Sequence, residues 1–193
     1  MVLALPFLIG VLVSLPLGGR LRELAAIHAR WIGLIYLALA FQIAAFPGHG
    51  MPWSTPDGVA VGLWIASDSI LVAFVLRNVR LRGIALAGVG LLMNLAAILA
   101  NGGHMPALPS ALRDAGLHYH VSMNSEAMSH PALPWLVDRW AAPGWIPLAN
   151  VFSAGDVVIA VGGFLLALTV MGARVPQPVR AIPRRLKTLW AGT

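Results

Sequence analysis

"STPDGVAVGLWIASDSILVAFVLRNVRLRG", residues 54–83, decides how the rest of the chain is read. From Val59 to Leu76 it runs through apolar and small side chains, then meets Arg77, Arg80 and Arg82. A helix crosses the hydrocarbon of a bilayer with roughly 17–25 residues of this kind. Thr55 and Pro56 stand where a cap and a first turn belong, so a helix is predicted over about 57–76. One acid interrupts it. Asp68, flanked by Ser67 and Ser69, falls near mid-span, where an ionisable group is costly and faces a partner or a wet cavity.

The same pattern recurs along the chain. Apolar segments Val2–Leu17, Trp31–Phe46, Ile84–Ala100 and Val157–Gly172 join Val59–Leu76, and with their flanks they predict helices over about 2–18, 29–46, 57–76, 83–100 and 154–173. Composition agrees: 59% of the 193 residues are hydrophobic and only 10% are charged, against about a quarter charged in soluble domains. The segments are too long and too evenly apolar for barrel strands, and only helices or closed barrels satisfy their backbone in lipid. The predicted fold class is therefore all-α, a polytopic membrane protein with five transmembrane helices in a single transmembrane domain.

Charge sets the orientation. The net charge of +6 would suit nucleic acid in a soluble protein, but here its distribution excludes that partner. Arg20, Arg22 and Arg30 follow the first segment, Arg77, Arg80 and Arg82 follow the third, and Arg174, Arg180, Arg184, Arg185 and Lys187 follow the fifth. The other loops hold only Arg113 and Arg139. By the positive-inside rule the N-terminus lies outside and the C-terminus inside. Basic residues behind the first segment, with none in front, also distinguish it from a signal peptide, so it is expected to stay as a helix. The tail 174–193 reads as a basic cytoplasmic anchor on anionic lipid, making the bilayer the first expected partner.

Between the fourth and fifth helices lies an external loop, 101–150, too long for a plain connector and read as a lid. Trp135, Trp140 and Trp145 suit the membrane–water boundary, Ser110 is placed to cap a short helix ending at Gly116, and "LPWLVDRWAAPGW" reads as a short amphipathic piece. "NGGHMP", 101–106, reads first as a helix stop, with glycine supplying left-handed backbone and Pro106 preventing continuation.

Polar groups inside the apolar segments are few. Gln42, Asp68 and Asn94, with Asn101, His104, Ser153 and Asp156 toward the outside, make up a candidate ligand-binding cleft opening outward beneath the loop. Asn94 and Asn101 are two helical turns apart and share a face. Ser153-x-x-Asp156 before an apolar run has the spacing of a capping box, and Gly155, Gly162 and Gly163 permit close helix approach. The chain has no cysteine, and no fixed His spacing points to a metal; His118 and His120 are weak candidates only. No phosphate loop or nucleophile motif appears, so no cofactor is predicted and no catalytic residue is assigned.

"NGGHMPALPSALRDAGL" at 101–117, "LPWLVD" at 133–138 and "NVFSAGDVVIAVGGF" at 150–164 resemble the bacterial membrane family DUF5317, as do "GGRLRELAAIHARW" and Gln42. Val137 and Ala154 depart from its pattern without removing a polar group. The resemblance implies an integral protein of the bacterial cytoplasmic membrane, with Asn101, Gly102, Gly103, Met105, Pro106, Ser153, Gly155 and Asp156 as candidate site positions. It implies no activity. The first functional reading is a non-enzymatic accessory or scaffold subunit of a membrane complex, with other membrane subunits as partners. The alternative is an outward-facing binding or transport protein for a small solute, proton or lipid; a membrane enzyme using the same cleft comes third.

Overall fold

The structure, a computed structural model, describes residues 4–27, 29–47, 51–117, 125–142 and 151–174. Among these the chain is mostly helical, which supports the all-α class. The helices are α1 (Ala4–Ser14), α2 (Leu21–Ala25), α3 (Gly33–Ala45), α4 (Asp57–Asn78), α5 (Ile84–Ala100), α6 (Pro109–Asp114) and α7 (Ala154–Val170). Among the described residues, only α4 is by itself long and apolar enough to cross a membrane; α1, α3, α5 and α7 are shorter apolar helices.

Helix ends follow local chemistry. Where 2–18 reads as one segment, α1 stops at Ser14, whose hydroxyl turns back to the Gly10 carbonyl at 2.6 Å just ahead of Pro16. Two capping assignments are corrected. Thr55 does not cap α4: its hydroxyl donates to the Ala44 carbonyl at 2.5 Å, tying the approach to α4 onto the end of α3. Ser110 does not cap α6, which opens after Leu108 with Pro109 in its first turn. The short helix does end at Gly116, whose φ of +69° lets the chain turn away.

The long helices stand in an open arc, in the order α1, α7, α5, α4, α3. The α5–α7 seam explains the tight centre. Gly83, Ala87, Gly90 and Asn94 face Gly155, Ile159, Gly162 and Leu166, so each side repeats at four and three residues. A Cβ on Gly90 would lie 2.4 Å from the Gly155 carbonyl oxygen, and one on Gly162 would lie 2.5 Å from the Ala87 nitrogen. On its other flank α7 meets α1, where a Cβ on Gly10 would lie 2.8 Å from the Phe164 carbonyl oxygen.

One end of the arc collects the basic loops. Arg20 N–H donates to the Met171 carbonyl and Arg174 N–H to the Leu17 carbonyl, both at 2.9 Å, so α1 and α7 run parallel. Asn78, buried at the end of α4, clamps the segment before α3: its side chain donates to the Arg30 carbonyl and accepts from the Arg30 N–H, each at 2.7 Å. Arg77 stacks over Trp31, 5.1 Å from the ring centroid.

The opposite end carries a cap built from the loop. Gly102 (φ +74°) and Gly103 (φ +96°) close α5, and Gly103 N–H returns to the Ile98 carbonyl at 2.9 Å. The chain then enters a buried strand, β1 (Met105–Ala107), paired in parallel with β2 (Ser125–Ala127). On the other side of β1, Ala107 bridges to Asp138. That bridge uses the Pro106 carbonyl, which accepts from Asp138 N–H, and the Leu108 N–H, which donates to the Asp138 carbonyl, each at 2.9 Å. The proline therefore costs the ladder no donor. A short antiparallel pair, β3 (Trp140–Ala141) with β4 (Val151–Phe152), leads into α7. Residues 133–142 of the stretch read as an amphipathic piece are turn and extended chain, and 143–145 lie outside the described residues. Ala107, Ala111, Leu112 and Val151 form a small core of the cap's own, and Met105 joins the cap to Trp64, Ala97 and Ile98 of the bundle.

Candidate functional site

Beneath the cap, and lined by α1, α3, α4, α5 and α7, lies a cavity of about 1000 Å³. That is the upper end of the size usual for small-molecule sites. Its walls are mostly aliphatic and aromatic, and its polar groups among the described residues are Gln42, Asp68, Asn94, Ser125, Asp138 and Asp156. The structure thus brings together Gln42, Asp68, Asn94 and Asp156 of the residues read from sequence.

Asn94 and Asp156 are locked to each other and to Ser153. Asn94 Nδ2 donates to Asp156 Oδ1 at 2.9 Å, and Ser153 N–H donates to Asp156 Oδ2 at 2.9 Å. The Ser153 hydroxyl accepts from Asp156 N–H at 3.1 Å and lies 2.8 Å from Asn94 Oδ1 and 3.0 Å from Asp156 Oδ2. The capping box read from sequence is present in full, with a side chain from α5 added as a third member. The arrangement satisfies the first turn of α7 and sets a carboxylate at the positive end of its dipole. Gly155 makes it possible, since a Cβ there would lie 1.9 Å from Asn94 Oδ1.

Asp68 is in a different condition. It is 5% exposed, lines the cavity, and has no hydrogen-bond partner among the described residues. The hydroxyls beside it point elsewhere: Ser67 donates to the Ala38 carbonyl at 3.0 Å and Ser69 to the Ile65 carbonyl at 2.8 Å. A carboxyl buried against an apolar wall with open acceptor capacity is a group that awaits a donor.

Asp138, with its partner Ser125, is what sequence reasoning missed. The aspartate is 5% exposed and enters the cavity from the cap, held by its backbone on β1. Burial pushes its carboxyl up to about 7, the negative charge of Asp156 adds to the rise, and the Ser125 hydroxyl, donating at 3.3 Å, opposes it. The signal was present in "LPWLVD", which carries the family resemblance, but nothing in that stretch shows that its aspartate faces inward.

Asn101 and His104 do not line the cavity. Asn101 is structural: its side chain donates to the Ala97 and Ala132 carbonyls at 2.7 and 3.0 Å and accepts from Ala132 N–H at 2.8 Å, stitching the end of α5 to the far part of the cap. His104 Nε2 lies 3.5 Å from Asp57 Oδ2 at the start of α4, on an exposed edge. His118 and His120 lie outside the described residues. Among the described residues no three His, Asp or Glu side chains converge so as to hold a metal ion.

Comparison with curated proteins and with solved structures finds no significant match. A family model does match, over residues 26–168, a stretch that takes in α3 to α6, all of the described cap and nearly all of α7. The chain belongs to the family described as "Family of unknown function (DUF5317)".

Proposed function

We propose that this protein is a multipass protein of the bacterial cytoplasmic membrane that binds a small, largely apolar ligand in the cavity beneath its external cap. In this reading α1, α3, α4, α5 and α7 cross the bilayer, the N-terminus lies outside, and the basic end of the arc faces the cytoplasm. Two observations support the membrane part. Large apolar side chains such as Leu8, Leu12, Tyr36, Leu76, Leu92 and Leu99 face outward from these helices, a surface suited to lipid. Arg20, Arg30, Arg77, Arg82 and Arg174 lie at one end and the cap at the other, as the positive-inside rule asks of five crossings.

The observation that carries the binding role is the cavity itself, about 1000 Å³ with apolar walls and a few convergent polar groups. The test is mass spectrometry of the protein extracted in native membrane discs, beside an Ala160→Trp variant that fills the cavity from α7. The unaltered protein should carry a bound small molecule that the variant loses. An empty protein that no membrane extract stabilises against heat overturns the reading.

An accessory-subunit role is the second reading. It rests on the outer rim of the cap, where Arg139 lies 4.7 and 5.4 Å from the rings of Trp135 and Trp140 and Trp135 is 74% exposed. Tryptophan and arginine are the side chains enriched where interfaces are strongest. A protein that co-purifies in fixed ratio, and is lost on Trp135→Ala, would establish that role.

A further inference from the structure

We propose that the ligand of this cavity is an amphiphile with a positively charged, hydrogen-bond-donating head, a long-chain amine, whose head docks at Asp68. The inference rests on the binding role proposed above and deepens it by naming the ligand class.

The polar lining is one-sided. Among the described residues it includes three carboxyl groups, Asp68, Asp138 and Asp156, and no Lys, Arg or His. Such a wall repels an anionic head and rewards a cation. The three acids are not equivalent. Asp156 already accepts from Asn94 and from Ser153, so its oxygens are committed to holding α5 on α7. Asp138 accepts one bond, from Ser125, and its backbone is tied into the cap. Asp68 alone is more than nine-tenths buried and accepts nothing from any described residue.

No described residue donates to Asp68, although Gln42 and Trp64 also line the cavity, so its carboxyl is free to take a donor from the ligand. An ammonium offers three N–H groups and pairs the charge as well. An alcohol brings one weaker donor and no charge, and a carboxylate brings neither.

The rest of the cavity takes a chain. Apart from its polar groups the lining is aliphatic and aromatic, with Leu71 and Val75 of α4, Ile35 of α3, Ile9 of α1 and Phe164 of α7 among it. Asp68 lies 11 residues along α4 from Asp57, so about 16 Å of helix separates it from the cap end. A head docked at that depth needs an apolar tail to be soluble there. Among the described residues α1 and α3, the end helices of the arc, are not closely packed on each other, and both line the cavity, so a tail can reach it from that side.

The experiment is native mass spectrometry of the full chain in detergent, titrated separately with dodecylamine, 1-dodecanol and dodecanoate, and repeated with Asp68→Asn. The inference expects one dodecylamine per chain, bound at least tenfold more tightly than the alcohol or the acid, with that preference removed by Asp68→Asn. Equal binding of amine and alcohol, unchanged in the variant, overturns the head-group assignment and leaves the cavity as a binding site. Failure of all three probes to bind the unaltered protein overturns the binding role as well. The comparison of probes on the unaltered chain decides the matter even if the variant does not fold.

Discussion

Gly155 and Asn94 occupy one space: a Cβ on the glycine would lie 1.9 Å from the asparagine Oδ1. The side chain that completes the cap of α7 is therefore admitted by the absence of a side chain on α7 itself. This contact is where helix packing and the polar wall of the cavity become one feature.

Gly155→Ala should accordingly destabilise the protein by about 1–3 kcal/mol, the usual cost of overpacking a close contact. Gly62→Ala is the control, since a Cβ there meets nothing within 4 Å on an exposed turn of α4. It should be neutral or stabilising by up to ~1 kcal/mol. Thermal unfolding of the two variants in the same detergent separates packing from propensity; equal effects would remove the seam from the account.

Asp138 makes stability depend on pH in a direction opposite to most carboxylates. Its folded-state value, about 7, is above the ordinary 3.8, so between those values the folded state holds a proton that the unfolded state has released. Stability is therefore lost as pH rises from about 4 to about 7, and the full penalty stands above that range. Asp138→Asn removes the titration. Its melting temperature should gain on that of the unaltered protein as pH is raised through this window. A constant difference between the two melting curves at pH 5, 6 and 7 would contradict the assignment.

Asn101 is expected to matter to the cap and not to ligand affinity. Asn101→Ala removes the side-chain partner of the exposed Ala132 N–H and carbonyl, which water can replace, at a cost of about 0.5–1.5 kcal/mol. Limited proteolysis should cut the cap faster in the variant, while binding of any ligand found for the cavity changes less than with Asp68→Asn.

The parts of this fold legible in the sequence are those set by local pattern. Apolar runs mark α3, α4, α5 and α7, and Ser153-x-x-Asp156 marks the capping box because all its partners lie within one turn. The glycine stop after α5 was equally readable, since the requirement for positive φ is local. What followed it was not. "HMPALP" becomes a buried strand only because residues 125–127 and 138 come to lie on either side of it, and no periodicity announces pairing over so long an interval. The same holds for the site. Asp68 and Asn94 stand out as polar residues in apolar runs, whereas Asp138, in a mixed loop, gains its meaning from the bridge to β1. Thr55 and Ser110 show the reverse error: each has the chemistry of a cap, but a tertiary partner or a proline takes the position.

The arrangement of the arc also bears on how the chain is made. Helix α7 is central in space, packed on α1 on one side and on α5 on the other, yet it is the last of the long helices in sequence. Residues 4–14 are thus synthesised more than a hundred positions ahead of their principal partner. Through most of translation α1 therefore lacks the partner for the face that will meet α7. Assembly is then completed from the C-terminal side: α7 docks as a keystone, joins the first helix to the hairpin of α4 and α5, and closes the wall of the cavity in the same step.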